Sequence, residues 1–127
     1  MKSIFLDVLP EAFSIVRFPS SHIVPKWVEQ SRIYSLTRSE NELSIVCETK
    51  VLPNDISFRN DGWRALRVRG TLDFSLTGIL SAIALPLAKE KISIFALSTF
   101  DTDYVLVQAD NLKKAALVLF DAGISVK

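Results

Sequence analysis

The stretch ISIFALSTFDTDYVLVQ, Ile92–Gln108, contains two β-forming runs separated by a short polar segment. The first run ends in Ser98 and Thr99, and the second begins with Asp103 and continues through Tyr104–Val107. Two runs rich in β-branched, aromatic and aliphatic residues, joined by a short loop, are typical of a β-hairpin. We therefore expect a hairpin whose end carries one carboxylate and two hydroxyl groups.

The segments on either side of this hairpin predict a regular order of elements. Apolar residues recur at helical spacing after Gly70, with Asp73 as the predicted N-cap, and Gly123 is expected to stop the second helix. The expected elements are a strand at Trp63–Arg69, a helix at Phe74–Lys89, the hairpin, a helix after its cap Asp110, and a strand at Ile124–Val126. This β-α-β-β-α-β order predicts a ferredoxin-like unit with a four-stranded antiparallel sheet and two helices on one face.

The first half of the chain predicts a shorter version of the same order. Strands are expected at residues 3–8 and at Phe13–Phe18, separated by Pro10, and PKWVEQ predicts a helix of barely two turns. A second hairpin is expected over Ile33–Thr49, followed by a turn-rich connector at residues 50–62. Because this half lacks a full second helix and strand, residues 3–8 are predicted to supply an edge strand to its sheet.

An ungapped alignment indicates that the two hairpins are copies of one unit. Ile33–Cys47, IYSLTRSENELSIVC, lies over Ile94–Gln108, IFALSTFDTDYVLVQ, with identities at Ile33, Leu36 and Val46 and with Glu42 over Asp103. The same strand-helix-hairpin order in both halves favours an internal repeat. We therefore predict two domains, a degenerate N-terminal unit at residues 1–60 and a complete C-terminal unit at residues 61–127.

Composition excludes several classes of function. The chain has 127 residues, a net charge of +1 and no apolar run long enough to span a bilayer, so neither nucleic acid nor membrane is an expected partner. One cysteine and one histidine cannot form a usual zinc site, and we expect no metal and no cofactor. Cys47 is interpreted as a buried structural thiol, and the lack of disulfides favours a cytoplasmic location. No catalytic constellation can be assembled, so we expect a protein that is not an enzyme.

Three stretches carry a resemblance to a known family: GWRALRVRGTLDFSLTGILSAIALPLA and FALSTFDTDYVLV in the second half and NELSIVCE in the first. With these stretches the chain resembles the small bacterial tandem ACT-domain proteins, which are related to the ACT domains of the animal cytosolic arginine sensors. The resemblance implies an α+β fold of two tandem ferredoxin-like units, the first of them degenerate. It also implies a non-catalytic regulatory module that binds an amino acid or another small ligand where domains meet.

The chemistry of an amino acid indicates where such a ligand would bind. Its carboxylate needs backbone N–H groups, which we expect at the start of the 74–89 helix, and its ammonium needs oxygen acceptors, which we expect at the 98–103 loop. The resemblance supports Thr71, Ser98, Thr99 and Asp103 in particular. The full set of predicted ligand-binding residues is Gly70, Thr71, Leu72, Asp73, Ala96, Leu97, Ser98, Thr99 and Asp103.

Simpler interpretations of these residues remain open at this point. Ser98 and Thr99 could bond only to the hairpin backbone, Asp103 could be an ordinary turn residue, and Asp73 could be only a helix cap. Because the arginine sensors have four ACT units and this chain has two, a complete site could require a homodimer. The alternative function is a dimerisation or partner-interaction module without a ligand, and an RNA-binding domain is disfavoured because Tyr104 is the only aromatic residue of the relevant strand.

Overall fold

A computed structural model describes residues 4–70 and 78–127 of the chain. Within these ranges there are seven β-strands, two α-helices and three short 3-10 helices. The strands are β1 (Ile4–Phe18), β2 (Tyr34–Arg38), β3 (Leu43–Glu48), β4 (Arg59–Val68), β5 (Ile94–Ser98), β6 (Asp103–Gln108) and β7 (Ile124–Val126). The helices are α1 (Ile79–Lys89) and α2 (Leu112–Asp121), and the 3-10 helices are Lys26–Gln30, Thr49–Val51 and Ala109–Asn111.

The chain divides into two compact units. The N-terminal unit is Glu11–Trp63, and the C-terminal unit combines Ile4–Pro10 with the described part of Arg64–Lys127. The division falls after Trp63, and Ile4–Pro10 belong with the C-terminal unit. The two predicted domains, residues 1–60 and residues 61–127, stay a prediction.

The N-terminal residues form a strand of the C-terminal sheet. Ile4–Leu6 pairs in parallel with Ile124–Val126 of β7, and the Val8 amide donates to the Lys127 carbonyl at 2.7 Å. The prediction that residues 3–8 complete the N-terminal sheet is therefore wrong for residues 4–8, and residue 3 lies outside the described residues. Ile4 and Leu6 are buried in the C-terminal core. The alternation of apolar and polar residues predicts a strand with one buried face, but it does not specify which sheet the strand joins.

Pro10 does not end the first strand. β1 runs without interruption from Ile4 to Phe18, where two separate strands were predicted. It pairs with β7 through Ile4–Leu6 and with β3 through Phe13–Phe18. Pro10 lies between these two paired stretches, which is a position where a missing N–H is tolerated in a strand.

The N-terminal unit is built on β1, β2 and β3. β3 pairs antiparallel with β1 on one side and with β2 on the other, and the β2–β3 hairpin follows the predicted segments. Leu43, Ile45 and Cys47 point into a core with Val16 and Val28, and Val46 and Glu48 on the opposite face of β3 are buried as well. The segment PKWVEQ forms the 3-10 helix Lys26–Gln30 instead of an α-helix.

The C-terminal unit has the predicted β-α-β-β-α-β order and confirms the α+β, ferredoxin-like class. Its strand order is β7-β1-β4-β6-β5, so β1 adds a fifth strand and a parallel pair to the expected four-stranded antiparallel sheet. Apolar residues of both helices, Ile83 and Leu87 of α1 and Ala115 and Leu119 of α2, are fully buried in the core of this unit. None of the helices in the described ranges is long and apolar enough to cross a membrane.

The helix boundaries differ from the predicted ones. α1 begins at Ile79 instead of Phe74, because Gly78 is its N-cap residue and has the left-handed φ of 81°. Asp73 lies outside the described residues, and the N-cap role predicted for it belongs to Gly78. α2 has Asn111 as its N-cap instead of Asp110, and Gly123 follows its end with a φ of 89°, as predicted.

Candidate functional site

The candidate site is the end of the β5–β6 hairpin. Ser98 and Asp103 face each other as the last pair of the antiparallel register. The Ser98 hydroxyl donates to Oδ1 of Asp103 at 2.7 Å, and the Ser98 side of this pair is exposed to solvent. The two polar groups predicted to hold an ammonium are therefore in direct contact, and together they present oxygen acceptors at the rim of the sheet.

Thr99 forms hydrogen bonds within the turn. Its amide and its hydroxyl both donate to the Thr102 carbonyl, at 2.8 and 3.1 Å, and the Thr102 amide lies 3.2 Å from the same hydroxyl. This is the backbone-bonding alternative that the sequence left open for Thr99. In contrast, Ser98 bonds to a side-chain carboxylate. Thr99 thus fixes the shape of the turn that carries Asp103.

Thr102 connects this turn to the strand that leads into Gly70. Its hydroxyl is buried and donates to the Val68 carbonyl at 2.9 Å. The hairpin end and the end of β4 are consequently held together by a side chain that the sequence analysis did not single out. Thr102 is distinguished by its burial in an otherwise exposed turn. Burial cannot be read from the sequence of a turn, so no sequence signal identified this residue.

Gly70 lies two residues beyond the end of β4 and adopts a φ of 84°. A Cβ atom at this position would have no neighbour within 4 Å, so the backbone conformation, and not close packing, favours glycine here. Its neighbour Arg69 forms an ion pair with Asp7 at 2.6 Å and lies over the Phe5 ring. The hydrogen bond from Arg69 lowers the pKa of Asp7. The predicted site residues Thr71, Leu72 and Asp73 lie outside the described residues.

Ala96 and Leu97 are on β5, which is the last strand in the sheet order. Ala96 pairs with Val105 and Leu97 with Tyr104, and Ala96 is exposed. A strand at the end of a sheet has backbone groups on one side that do not take part in the ladder. The sequence predicted a carbonyl acceptor role for both residues, and the free edge of β5 is compatible with that role for the carbonyl that points away from β6.

The N-terminal hairpin has the same turn as the candidate site. The Ser39 amide donates to the Glu42 carbonyl at 2.9 Å, as Thr99 does to Thr102, and the Ser39 hydroxyl accepts from the Glu42 amide at 3.3 Å. A 3-10 helix follows each hairpin, at Thr49–Val51 and at Ala109–Asn111. The two hairpins thus have corresponding hydrogen bonds and corresponding flanking elements.

The correspondence is shifted by one residue from the predicted alignment. Tyr34 occupies the position of Ile94 and Leu43 that of Asp103, whereas the ungapped alignment put Ile33 over Ile94 and Glu42 over Asp103. Because strand side chains alternate between faces, a one-residue shift exchanges the two faces. The three identities used for that alignment are therefore not structurally equivalent, and the N-terminal copy has no acidic residue at the Asp103 position.

Cys47 is buried in the N-terminal core, and burial raises the pKa of its thiol to about 11. A thiol with this pKa is almost entirely protonated near neutral pH, in agreement with a structural role. Among residues 4–70 and 78–127, no group of three or more His, Cys, Asp and Glu side chains is arranged to hold a metal ion.

Comparisons with known proteins give the same architecture. A family model described as "ACT domain" matches residues 59–126, and a model of an N-terminal domain matches residues 11–55. The human cytosolic arginine sensor for mTORC1 subunit 1 is 33% identical over 113 residues, which cover 78% of this chain and 34% of the sensor. The chain thus spans about one third of the length of this curated relative.

Two solved structures are similar over nearly the full chain. A protein from Agrobacterium tumefaciens has a TM-score of 0.92 and 35% identity, covering 100% of this chain and 94% of that one. The ligand-free regulatory subunit of aspartate kinase from Thermus thermophilus has a TM-score of 0.61 and 11% identity, covering 92% and 93%. The second similarity is one of fold. The family match, which spans most of the C-terminal unit, shows that this chain belongs to the ACT domain family.

Proposed function

We propose that the chain is a non-catalytic regulatory module that binds an amino acid in its C-terminal unit. The ammonium group binds to Asp103 and Ser98, with the carbonyl oxygens of Ala96 and Leu97 as further acceptors. The carboxylate binds to backbone N–H groups of the segment from Gly70 to Asp73 and of the start of α1. Within that segment, Thr71, Leu72 and Asp73 have this role as a prediction from the sequence.

One observation carries the proposal. The 2.9 Å hydrogen bond from Thr102 to Val68 holds the acidic hairpin end next to the strand end that leads into Gly70. An amino acid carries its ammonium and its carboxylate on the same carbon atom. Its site therefore needs hydrogen-bond acceptors and hydrogen-bond donors that lie close together. The name of the human relative, an arginine sensor, agrees with an amino acid as the ligand class.

The proposed module consists of two tandem ACT units, of which the N-terminal one is degenerate. The repeated turn hydrogen bonds at Ser39 and Thr99 support this interpretation. Since the curated relative is about three times longer than the matched region, we propose that a homodimer supplies the additional units. Sedimentation equilibrium tests the dimer, and a monomer at all concentrations would contradict it. A cytoplasmic location is proposed from the free, buried Cys47 and from the name of the relative.

A thermal-shift panel of the common amino acids tests the ligand class. A ligand that binds only the folded state stabilises it by about 2.7 kcal/mol at a hundred times its Kd. We expect one amino acid, or a chemically related group of them, to raise Tm in a concentration-dependent way. If no amino acid changes Tm at about 10 mM, the sensor proposal is wrong for this chain.

Exposed apolar residues on the helices favour the second candidate function, a partner-interaction module. Leu117 and Phe120 of α2 are 68% and 69% exposed, and Leu85 of α1 is 58% exposed. Large apolar side chains in such positions are frequent at protein interfaces. Under this alternative, Leu117→Ser and Phe120→Ser weaken self-association while amino acids leave Tm unchanged.

A further inference from the structure

The N-terminal unit contains a second candidate binding site. This site is a cleft of about 490 Å³ with two walls. One wall is the end of β1 and the loop that follows it, and the other is the connector that precedes β4. We call it the Trp27 cleft and define it by Arg17, Phe18, His22, Trp27, Asp55 and Phe58. Its volume is within the range of about 300–1,000 Å³ that is usual for small-molecule sites. The residues of the amino-acid site proposed above belong to the C-terminal unit.

Hydrogen bonds hold both walls of the Trp27 cleft in place. The Arg17 amide donates to the Phe58 carbonyl at 3.0 Å, which joins the connector to β1. The Arg38 guanidinium of β2 donates to the Ser20 and His22 carbonyls, the latter at 2.7 Å, and so fixes the loop. Arg59 donates to the Pro53 carbonyl at 3.0 Å. A cleft with walls fixed in this way needs little reorganisation to bind a ligand.

Aromatic rings supply the surface of the cleft. The Phe18 and His22 rings are stacked with centroids 4.3 Å apart, and the Trp27 ring lies 6.5 Å from Phe18 at an angle of 49°. Phe58 is 65% exposed, although it is a large apolar residue. Covering such a ring with a flat apolar group is favourable, at about 25 cal/mol per Å² of apolar surface removed from water.

Two opposite charges line the same cleft. Arg17 uses one guanidinium nitrogen for the Asn41 carbonyl at 3.2 Å, and this planar group carries several other N–H donors. Asp55 is an exposed carboxylate on the opposite wall, within the connector. A guanidinium is suited to bind a carboxylate with paired hydrogen bonds, and a carboxylate is suited to bind an ammonium.

We propose that the Trp27 cleft binds an aromatic amino acid. The aromatic ring of the ligand packs against Phe18, Trp27 and Phe58. Its carboxylate binds Arg17, and its ammonium faces Asp55. The proposed site in the Trp27 cleft does not depend on the one proposed at Asp103, and the two differ in composition.

Calorimetric titration of the full chain with three probes tests which residues of the cleft bind the ring, the carboxylate and the ammonium of the ligand. L-phenylalanine has the ring and both charges, phenylacetate lacks the ammonium, and phenethylamine lacks the carboxylate. We expect L-phenylalanine to bind most tightly and phenylacetate to bind more tightly than phenethylamine. Phenethylamine that binds as well as L-phenylalanine would overturn the role of Arg17.

Variants locate the binding site. Phe58→Ala and Arg17→Gln alter exposed side chains and leave the Arg17 amide bond to Phe58 intact, so both are expected to fold, as circular dichroism will verify. Each should raise the Kd of L-phenylalanine at least about tenfold, since a charge-assisted bond or a ring contact is lost. Ile23→Ala, in the same loop but not lining the cleft, should leave that Kd unchanged. No saturable binding at 10 mM, or binding that Phe58→Ala does not weaken, would refute the proposal.

Discussion

The Thr102 hydroxyl donates a hydrogen bond to the Val68 carbonyl across 2.9 Å, and this bond joins the hairpin turn to the end of β4. Because both atoms are buried, loss of this hydrogen bond would leave an unsatisfied polar group inside the protein. The proposed amino-acid site depends on this contact because Asp103 follows Thr102 and Gly70 follows shortly after Val68.

Replacing Thr102 by valine should lower both stability and ligand binding. The shape is kept, but the Val68 carbonyl loses its donor inside the protein, at an expected cost of about 1–3 kcal/mol in the free energy of unfolding. Urea denaturation measures this cost. Thr37→Val, on an exposed position of β2, is the matched control and should change the free energy by less than about 0.5 kcal/mol. Equal effects of the two substitutions would contradict the role given to Thr102.

Gly70→Ala should destabilise the protein through the backbone alone. The φ of 84° is costly for a residue with a Cβ, by about 1–2 kcal/mol, while a Cβ at this site meets no atom within 4 Å. Gly70→Asn should cost less, because asparagine tolerates the left-handed region. Urea denaturation of the two variants checks the order. A larger loss for asparagine than for alanine would indicate a steric cause instead.

Glu48 should make stability depend on pH. Burial tends to raise the pKa of Glu48, but hydrogen bonds from the Arg32 amide and the Ser31 hydroxyl, together with Lys50, outweigh it and lower the pKa below its ordinary 4.5. A carboxyl group with a lower pKa in the folded state adds stability above pH 4.5, and this contribution is lost as pH falls through the folded-state pKa.

Glu48→Gln should therefore remove part of the acid dependence. We expect the substitution to cost about 2 kcal/mol near pH 7, from the loss of hydrogen bonds to a charged group, and to cost less as pH approaches 3. Unfolding free energies from pH 3 to 7 measure this. Glu40→Gln, on an exposed turn residue, should leave the profile unchanged. A Glu48→Gln penalty that grows toward low pH would contradict the assignment.

Cys47 should be unreactive in the folded protein. Its thiol is buried and has a pKa of about 11, so very little reactive thiolate is present at pH 8. Ellman's reagent should label no thiol in native protein at pH 8 and one thiol in denaturing urea. Rapid labelling of the native protein would show that the N-terminal core opens readily.

Local sequence patterns predicted the C-terminal elements well. The β5–β6 hairpin and the stop at Gly123 follow from alternation and glycine chemistry, which act between near neighbours. The pairing of Ile4–Leu6 with β7 is a contact between the two ends of the chain, and no local pattern encodes it. Gly78 as N-cap was missed because the apolar spacing continues on both sides of it.

Only part of the candidate site could be predicted, because sequence patterns indicate contacts between near neighbours. Ser98 and Asp103 could be paired because a hairpin register brings them together. Thr102 could not be found, since its role is a bond to a strand that is distant in sequence. The one-residue error in the repeat alignment arose because short β-strands contain the same few apolar residues, so three identities do not determine a register.

The central claim, that the C-terminal unit binds an amino acid through Asp103, is tested most directly by calorimetric titration. The amino acid that gives the largest Tm increase is titrated into the wild type, Asp103→Asn and Asp101→Asn, the last being an exposed aspartate of the same turn. We expect at least tenfold weaker binding for Asp103→Asn and unchanged binding for Asp101→Asn. Equal affinity of Asp103→Asn and the wild type would contradict it.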